Sequence, residues 1–389
     1  MVLLTVNKGS YRKARMRHNC RITVVVVLLC TLVLGLAEGK EHHRALHGSQ
    51  KSVAVADGRL KSTDGKTYFV VQPFGKGIVN AQLSVLKGLE AAKRHGYIFV
   101  VPPMVQWWAE HEPGYLTIIP FHHFYDAEHF EKFVKEYGAE IVWELPADRT
   151  PACMLQQQLS EKAPQAVNKA THRAWAQQYG VICLSGSSTF YTIDGADQPQ
   201  FWPPDSLRQA LKPSSLYASE AQKMLEEVAR HFGTKEFVSV HVRVEADWEE
   251  HCAASKDRND PQTALYNNNY QCWVDEAQTA DVLEKKLKVR AGSLLYIQST
   301  VPIKKMHNLC SKYRCFDRDS VWKERSEEIP YKKTSLVLSY LTSLLAEHGT
   351  ALYGNIHSAY YGELAKKFSA ADKPAHHLNP DCPVNEPCM

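Results

Sequence analysis

The sequence has no acidic residue before Glu38. Over that same stretch it carries Lys8, Arg12, Lys13, Arg15, Arg17 and Arg21. The full chain of 389 residues holds 46 Lys and Arg against 42 Asp and Glu, a formal charge of +4. The six N-terminal cations supply the whole excess. Without them 40 basic residues face 42 acidic ones, a charge of −2. A body with no basic surplus excludes a nucleic-acid binder, which needs a positive face to neutralise phosphates. The sequence also has no G-x-G-x-x-G and no Walker pattern, so an ordinary dinucleotide or ATP P-loop site is excluded. It has no two Cys-x-x-Cys pairs and its histidines are scattered, which excludes a zinc-ribbon type of site. No repeat of 20–50 residues is visible, so a solenoid is excluded. Asn-x-Ser/Thr sequons are absent, and the C-terminus is not a Lys-Asp-Glu-Leu type signal.

What is present begins with a globular composition. The chain is 44% hydrophobic and 23% charged, which suits a packed globule and excludes a disordered one. At the N-terminus, residues 1–21 read as a basic cytosolic tail. Residues 22–37 follow as an uncharged, mainly apolar run. That run is longer than most signal-peptide cores and slightly short of a spanning helix. The charge bias would hold the tail in the cytosol and send the body to the lumen. Gly35 and Ala37 also form a small-x-small cleavage pattern, so a signal anchor and a cleaved signal peptide both stay open. Residues 38–63 are polar and read as a stem. Beyond the targeting segment the chain carries eight cysteines, an even number that suggests disulfides in an oxidising lumen.

From residue 64 the pattern becomes α/β. Thr67–Gln72 is a β-rich run, and a Gly-containing loop follows. Leu83, Leu86, Leu89 and Ala92 then recur at helical spacing, and the helix stops near Gly96. Tyr97–Val101 is an apolar strand. This βαβ unit implies a parallel sheet. Short strands are expected at Glu140–Trp143 and Val181–Leu184. A Ser-capped helix is expected from Ser219 to Phe232, ended by Gly233. A second alternation follows: a strand over Phe237–Val244, helices near Asp275–Leu287, Lys304–Tyr313 and Tyr331–His348, strands at Leu294–Ile297 and Ala351–Tyr353, and a helix over Ser358–Phe368. The economical reading is two Rossmann-like domains, over residues 64–232 and 233–389.

Three segments carry candidate chemistry. The first is His241-Val-Arg243 at the C-terminal end of a β-branched strand, the place where open α/β sheets bind ligands. His and Arg alternate with Val, so one face would present both. The planar fork of Arg243 suits a phosphate, whereas pairing with Glu245, Asp247 or Glu249 would be purely structural. The second is the loop from Gly75 through Gly77 to Asn80. Its glycines allow close backbone approach, and the helix start that follows favours anions. Asn80 sits at or beside the N-cap and could serve only as a cap. The third is Gly354-Asn355 with Ser358 opening a helix, either a second phosphate cradle or a plain Ser cap.

The order and spacing of these blocks resemble the GDP-fucose protein O-fucosyltransferases and their wider superfamily. Gly77-Ile-Val-Asn-Ala-Gln82, running on to Pro102, is similar to the family's Gly-x-x-Asn-Gln unit. His241 through Cys252 is similar to its His-x-Arg block, with Asp247-Trp248 and a closing Cys. Gly354-Asn-Ile-His-Ser358 is similar to its Gly-Asn-x-x-Ser block. The resemblance spans about residues 66–370. It implies a GT-B fold, two Rossmann-like domains facing a cleft, and an inverting transfer that needs no metal and no cofactor beyond the donor GDP-fucose. It implies that Arg243 binds the β-phosphate and stabilises the leaving GDP, with His241 against the nucleotide. Asn80 and Gly77 would lie across the cleft, and Asn355 and Ser358 at the phosphates. Asp247 belongs to the donor-side block, and Glu245 is a candidate general base or the partner of a neighbouring cation.

Two positions depart from the family. The Gln after the family's Asn is Ala81, and Ser299 or Thr300 stands where the family has an Asp near the guanine. A transferase using another nucleotide sugar, such as UDP-rhamnose, and a catalytically silent sugar- or protein-binding relative are therefore carried as alternatives. The acceptor is a protein or glycan, and residues 22–37 would meet a membrane if uncleaved. The compartment is the endoplasmic reticulum or Golgi lumen, with the chain a type II membrane protein or a luminal or secreted one. Trp107, Trp108, His122, His123, Trp175 and Trp202 either shape the acceptor side or are core aromatics. The resemblance implies a Cys252–Cys272 disulfide. Cys310–Cys315 and Cys382–Cys388 are close in sequence, which leaves Cys153–Cys183, and free thiols are the alternative.

Overall fold

The structure is a computed structural model that describes residues 65–72, 77–106, 117–162, 169–185, 203–256, 272–322, 329–331, 334–355 and 358–379. The expected tail, anchor or signal segment and stem lie outside these residues. So do Trp107, Trp108, Trp202 and the Cys382–Cys388 pair. No helix among the described residues is long and apolar enough to cross a membrane.

Two parallel sheets carry the chain. The first has the order β5-β2-β1-β6, built from β1 (Tyr68–Gln72), β2 (Ile98–Val100), β5 (Glu140–Val142) and β6 (Val181–Ser185). An antiparallel ribbon, β3 (Met104–Gln106) with β4 (Thr117–Ile119), branches off after β2. Helix α1 (Ile78–His95) makes the crossover from β1 to β2. Its Leu83, Leu86 and Leu89 are fully buried, each contributing roughly 1.5–3 kcal/mol by leaving water. Gly88 lets the helix ride close to the sheet. A Cβ there would come within 2.7 Å of the Phe99 ring and of Val71. Gly96 ends the helix at φ 67°, a left-handed cap that glycine adopts without steric cost. Helices α2 (Ala127–Tyr137), α3 (Thr150–Lys162) and α4 (Lys169–Tyr179) complete this half.

The second sheet has the order β11-β10-β7-β8-β9, from β7 (Val238–His241), β8 (Leu294–Gln298), β9 (Arg314–Phe316), β10 (Leu352–Gly354) and β11 (Ala375–His377). Helix α5 (Ser215–Phe232) precedes it. Helices α6 (Ala246–Lys256), α7 (Glu276–Asp281), α8 (His307–Lys312), α9 (Arg318–Val321), α10 (Ser335–Ala346) and α11 (Ala359–Ala370) join its strands. Alternation along each strand separates the two faces. Val240, Leu295, Ile297 and Tyr353 pack with Leu283, Met306 and Leu309 beneath α7 and α8. On the other face, the Ser239 hydroxyl donates to the Ala346 carbonyl at 2.8 Å, and the Tyr296 hydroxyl donates to the Thr342 carbonyl at 3.4 Å, both on α10. One buried cluster runs from α1 through α5 to Tyr340, Leu341 and Leu345 on α10 and Tyr361 on α11.

Several expected boundaries move. The Ser219–Phe232 helix starts at Ser215, with Ser214 at its N-cap but no side-chain cap bond, and it ends at Gly233 as expected. The strand expected to run to Val244 stops at His241. Arg243 therefore lies in the loop after β7, and the same-face argument does not apply to it. The pairing edge explains the stop: Val242 donates its N–H to the Gln298 carbonyl, the last bond before the chain turns. Strands β3, β4, β9 and β11 are not among those expected from the sequence. Disulfides join Cys153–Cys183, Cys252–Cys272 and Cys310–Cys315, in agreement with the pairs expected for those six cysteines.

Candidate active site

The site forms where three adjacent strands end together. Gly354 of β10 is in register with His241 of β7, which is in register with Gln298 of β8. All three strands are parallel, so their C-terminal ends open to one crevice. Arg243 follows β7, α11 begins after β10, and Ser299 follows β8.

His241 is 8% exposed, and its Nδ1 has no hydrogen-bond partner. Burial, helped by the Arg243 charge, pushes its pKa down to about 3. The imidazole is therefore neutral, and its ring lies 4.9 Å from that of Tyr360. Arg243 is held without being saturated. Glu245 and Asp247 each approach its guanidinium at 4.0 Å. That is an ion-pair distance beyond hydrogen-bond range. Trp248 lies under the guanidinium at 4.3 Å, a cation–π contact that fixes its plane. Arg243 Nε makes no hydrogen bond. A preoriented planar cation with an unused N–H suits an oxyanion.

Glu245 ties two loops together. Thr300 donates to its Oε1 from the backbone N–H at 3.1 Å and from the hydroxyl at 2.8 Å. Ser299 is also engaged, because its Oγ accepts from the Val301 N–H at 3.2 Å. Asp247 is largely exposed.

Ser358 occupies the N-cap of α11 yet makes no cap bond with its side chain. It is 1% exposed, and its hydroxyl has no partner. The plain-cap reading therefore fails here. The turn before it is braced by Asn355, whose Nδ2 donates to the Cys272 carbonyl at 2.6 Å and whose own carbonyl accepts from the Ser358 N–H at 3.0 Å. Asn379 also donates to Asn355 Oδ1, at 3.5 Å. Gly354 is required at its position, since a Cβ would meet Tyr361 at 2.2 Å.

The structure brings together His241, Arg243, Glu245, Asp247, Asn355, Ser358 and Ser299 around this sheet edge. Gly77 and Asn80 belong to the other half. Gly77 is the N-cap of α1, and Asn80 lies inside the helix as its third residue. Asn80 is therefore not the cap, and its carbonyl instead accepts from the Ser84 hydroxyl at 2.8 Å. Of the acceptor-side candidates, Trp175 is core, and His123 bonds the Tyr217 hydroxyl at 3.0 Å, while His122 is exposed.

Sequence reasoning missed Gln298. It is 2% exposed, and both its amide nitrogen and its amide oxygen lack partners. The available signal was one polar residue closing an otherwise apolar strand, Leu-Leu-Tyr-Ile-Gln. An Asp-x-Asp triplet, the metal-binding signature of many glycosyltransferases, is also present at Asp317-Arg318-Asp319. It serves as a helix cap: Asp317 accepts from the Ser320 N–H at 2.9 Å, and Asp319 pairs with Arg318. No group of His, Cys, Asp and Glu able to hold a metal occurs among the described residues.

No curated protein matches the chain. Among solved structures, POFUT1 in complex with GDP superposes with a TM-score of 0.53 at 15% identity, over 82% of this chain and 99% of that one. POFUT1 in complex with GDP-fucose gives a TM-score of 0.52 at 15% identity, again over 82% and 99%. At this identity the likeness shows a shared fold. The family model described as GDP-fucose protein O-fucosyltransferase matches residues 68–348, which hold both sheets' leading strands and the whole His-x-Arg block. The chain is a glycosyltransferase and belongs to the GDP-fucose protein O-fucosyltransferase family.

Proposed function

We propose that the protein transfers fucose from GDP-fucose to a hydroxyl of a protein or glycan, with inversion and without a metal. The observation that carries this reading is a pair of buried polar groups left unbonded where adjacent strands end: Arg243 Nε and the Ser358 hydroxyl. Buried polar groups ordinarily find partners, so an unbonded pair that includes a preoriented cation supports an absent anionic ligand. In the reaction the acceptor oxygen attacks the anomeric carbon as the bond to the β-phosphate oxygen breaks. The acceptor proton passes to a non-bridging oxygen of the departing β-phosphate or to water, and negative charge accumulates on the leaving GDP. Arg243 stabilises that charge, and the start of α11 with Ser358 adds fixed dipoles. His241, neutral, packs against the nucleotide. Glu245 has one oxygen engaged by Thr300, which favours positioning of Arg243 over a general-base role. Asp247 shares that positioning, and Asn355 orients the Ser358 turn. Gly77 and Asn80 contribute from the start of α1 across the cleft.

The architecture under this reading is GT-B, with domains over residues 64–232 and 233–389. The compartment is the endoplasmic reticulum or Golgi lumen, reached through residues 22–37 as an anchor or a cleaved signal. Three disulfides suit that oxidising setting. Ser299 and Thr300 are engaged internally, which supports a second reading, a different nucleotide sugar such as UDP-rhamnose. Calorimetric titration with GDP-fucose, GDP and UDP-rhamnose separates the two, and a donor-hydrolysis assay tests for a silent binder. Preferential binding of GDP-fucose followed by its turnover in chelator supports the first reading. Preference for UDP-rhamnose, or binding without turnover, rejects it.

A further inference from the structure

Ser299 and Thr300 are both committed to protein partners. The neighbouring Gln298 is not. A buried amide with neither atom bonded costs free energy that an apolar residue would avoid, so its presence at the end of an apolar strand needs a reason. Register places its side chain beside His241, on the face whose earlier residues Tyr296 and Ser239 bond α10. On that face the His241 and Tyr360 rings are 4.9 Å apart. The Tyr360 hydroxyl is also buried without a partner. This corner therefore gathers two aromatic rings in contact and neutral polar groups. It suits a planar, uncharged part of a ligand rather than a phosphate, which Arg243 takes two residues further on. A primary amide donates and accepts in one plane. That matches the N–H and C=O of a lactam, the edge that guanine and uracil present, better than freely rotating sugar hydroxyls.

Resting on the nucleotide-sugar reading above, we propose that Gln298 is a specificity-determining residue that pairs with the lactam edge of the donor's nucleobase. His241 and Tyr360 form the aromatic side of the same base pocket. The pairing exchanges two unbonded amide atoms for two in-plane hydrogen bonds.

The test compares the wild-type chain with Gln298→Leu, and with Gln298→Met as a second variant in case leucine packs badly. Each is titrated with GDP, inorganic diphosphate and fucose 1-phosphate, and each is melted without ligand. Losing a bidentate base contact weakens GDP binding by about 10- to 100-fold. Diphosphate and fucose 1-phosphate affinities stay unchanged. The ligand-free melting temperature stays level or rises, because the variants remove an unbonded buried amide. Unchanged GDP affinity overturns the inference, and so does an equal loss for all three ligands, the mark of structural damage. A loss confined to fucose 1-phosphate overturns it as well, by assigning Gln298 to the sugar. If the wild-type chain binds no GDP, the donor reading itself fails and this inference goes with it. If the wild type binds GDP and the variants match it, only this inference fails.

Discussion

At the scale of single residues, protonation follows burial. Burial lowers the pKa of His241 to about 3, and of His172 and His377 to about 4. In the unfolded chain each would titrate near ~6.5. Between those values the unfolded state binds more protons than the folded one, so stability is lost as pH falls from about 6.5 toward 4. Thermal unfolding between pH 7 and pH 4.5 should show a falling midpoint, with a smaller fall in His172→Phe. A flat profile would contradict these assignments. Arg243 as the proposed phosphate residue came from the resemblance of its motif to the family's His-x-Arg block. Its location was not readable, because the strand ends at His241 through pairing with β8, a partner 57 residues on. Gln298 was less readable still. An amide's lack of partners is a tertiary fact, and a sequence shows only its polarity.

At the scale of elements, a chain of contacts holds the start of α11. Cys252 on α6 is bonded to Cys272, whose carbonyl accepts from Asn355, whose carbonyl in turn accepts from Ser358. The disulfide thus links the helix after His-x-Arg to the turn of the third block. Replacing both cysteines with serine should weaken GDP binding and cost about 2–4 kcal/mol of stability. Chemical denaturation and GDP titration on the same variant check both parts. Full GDP affinity in the reduced-loop variant would show that α11 is positioned without the brace. The βαβ unit was legible because α1 has an apolar stripe and ends in Gly96. The start of α5 was not, because the hydroxyl of its N-cap Ser214 donates to the distant His123 carbonyl instead of capping the helix.

At the scale of the whole molecule, α11 is also clamped to a distant segment. Arg208, in the turn of helix over Asp205–Ala210, reaches Glu363 of α11 with its Nε 2.9 Å and 3.0 Å from the two carboxylate oxygens. Both side chains are buried. Asp205 also pairs with the Arg208 guanidinium, so Glu363→Gln removes one of two carboxylate partners; it should cost about 1–3 kcal/mol, and adding Arg208→Met should recover part of it. Urea denaturation of the single and double variants measures this; equal cost in both would deny the coupling. Separated by 155 residues, the pair leaves no local trace in the sequence. The parallel α/β character of both halves, by contrast, followed from alternation of strand and helix patterns. The central claim is that Arg243 holds the diphosphate of a GDP-sugar. It is tested most directly by titrating GDP-fucose, in the presence of a chelator, into the wild-type chain and into Arg243→Ala of unchanged melting temperature. Saturable binding by the wild type that weakens about 10- to 100-fold in the variant, as expected for a lost charge-assisted contact, is the predicted result. Equal affinity in the two proteins would contradict it.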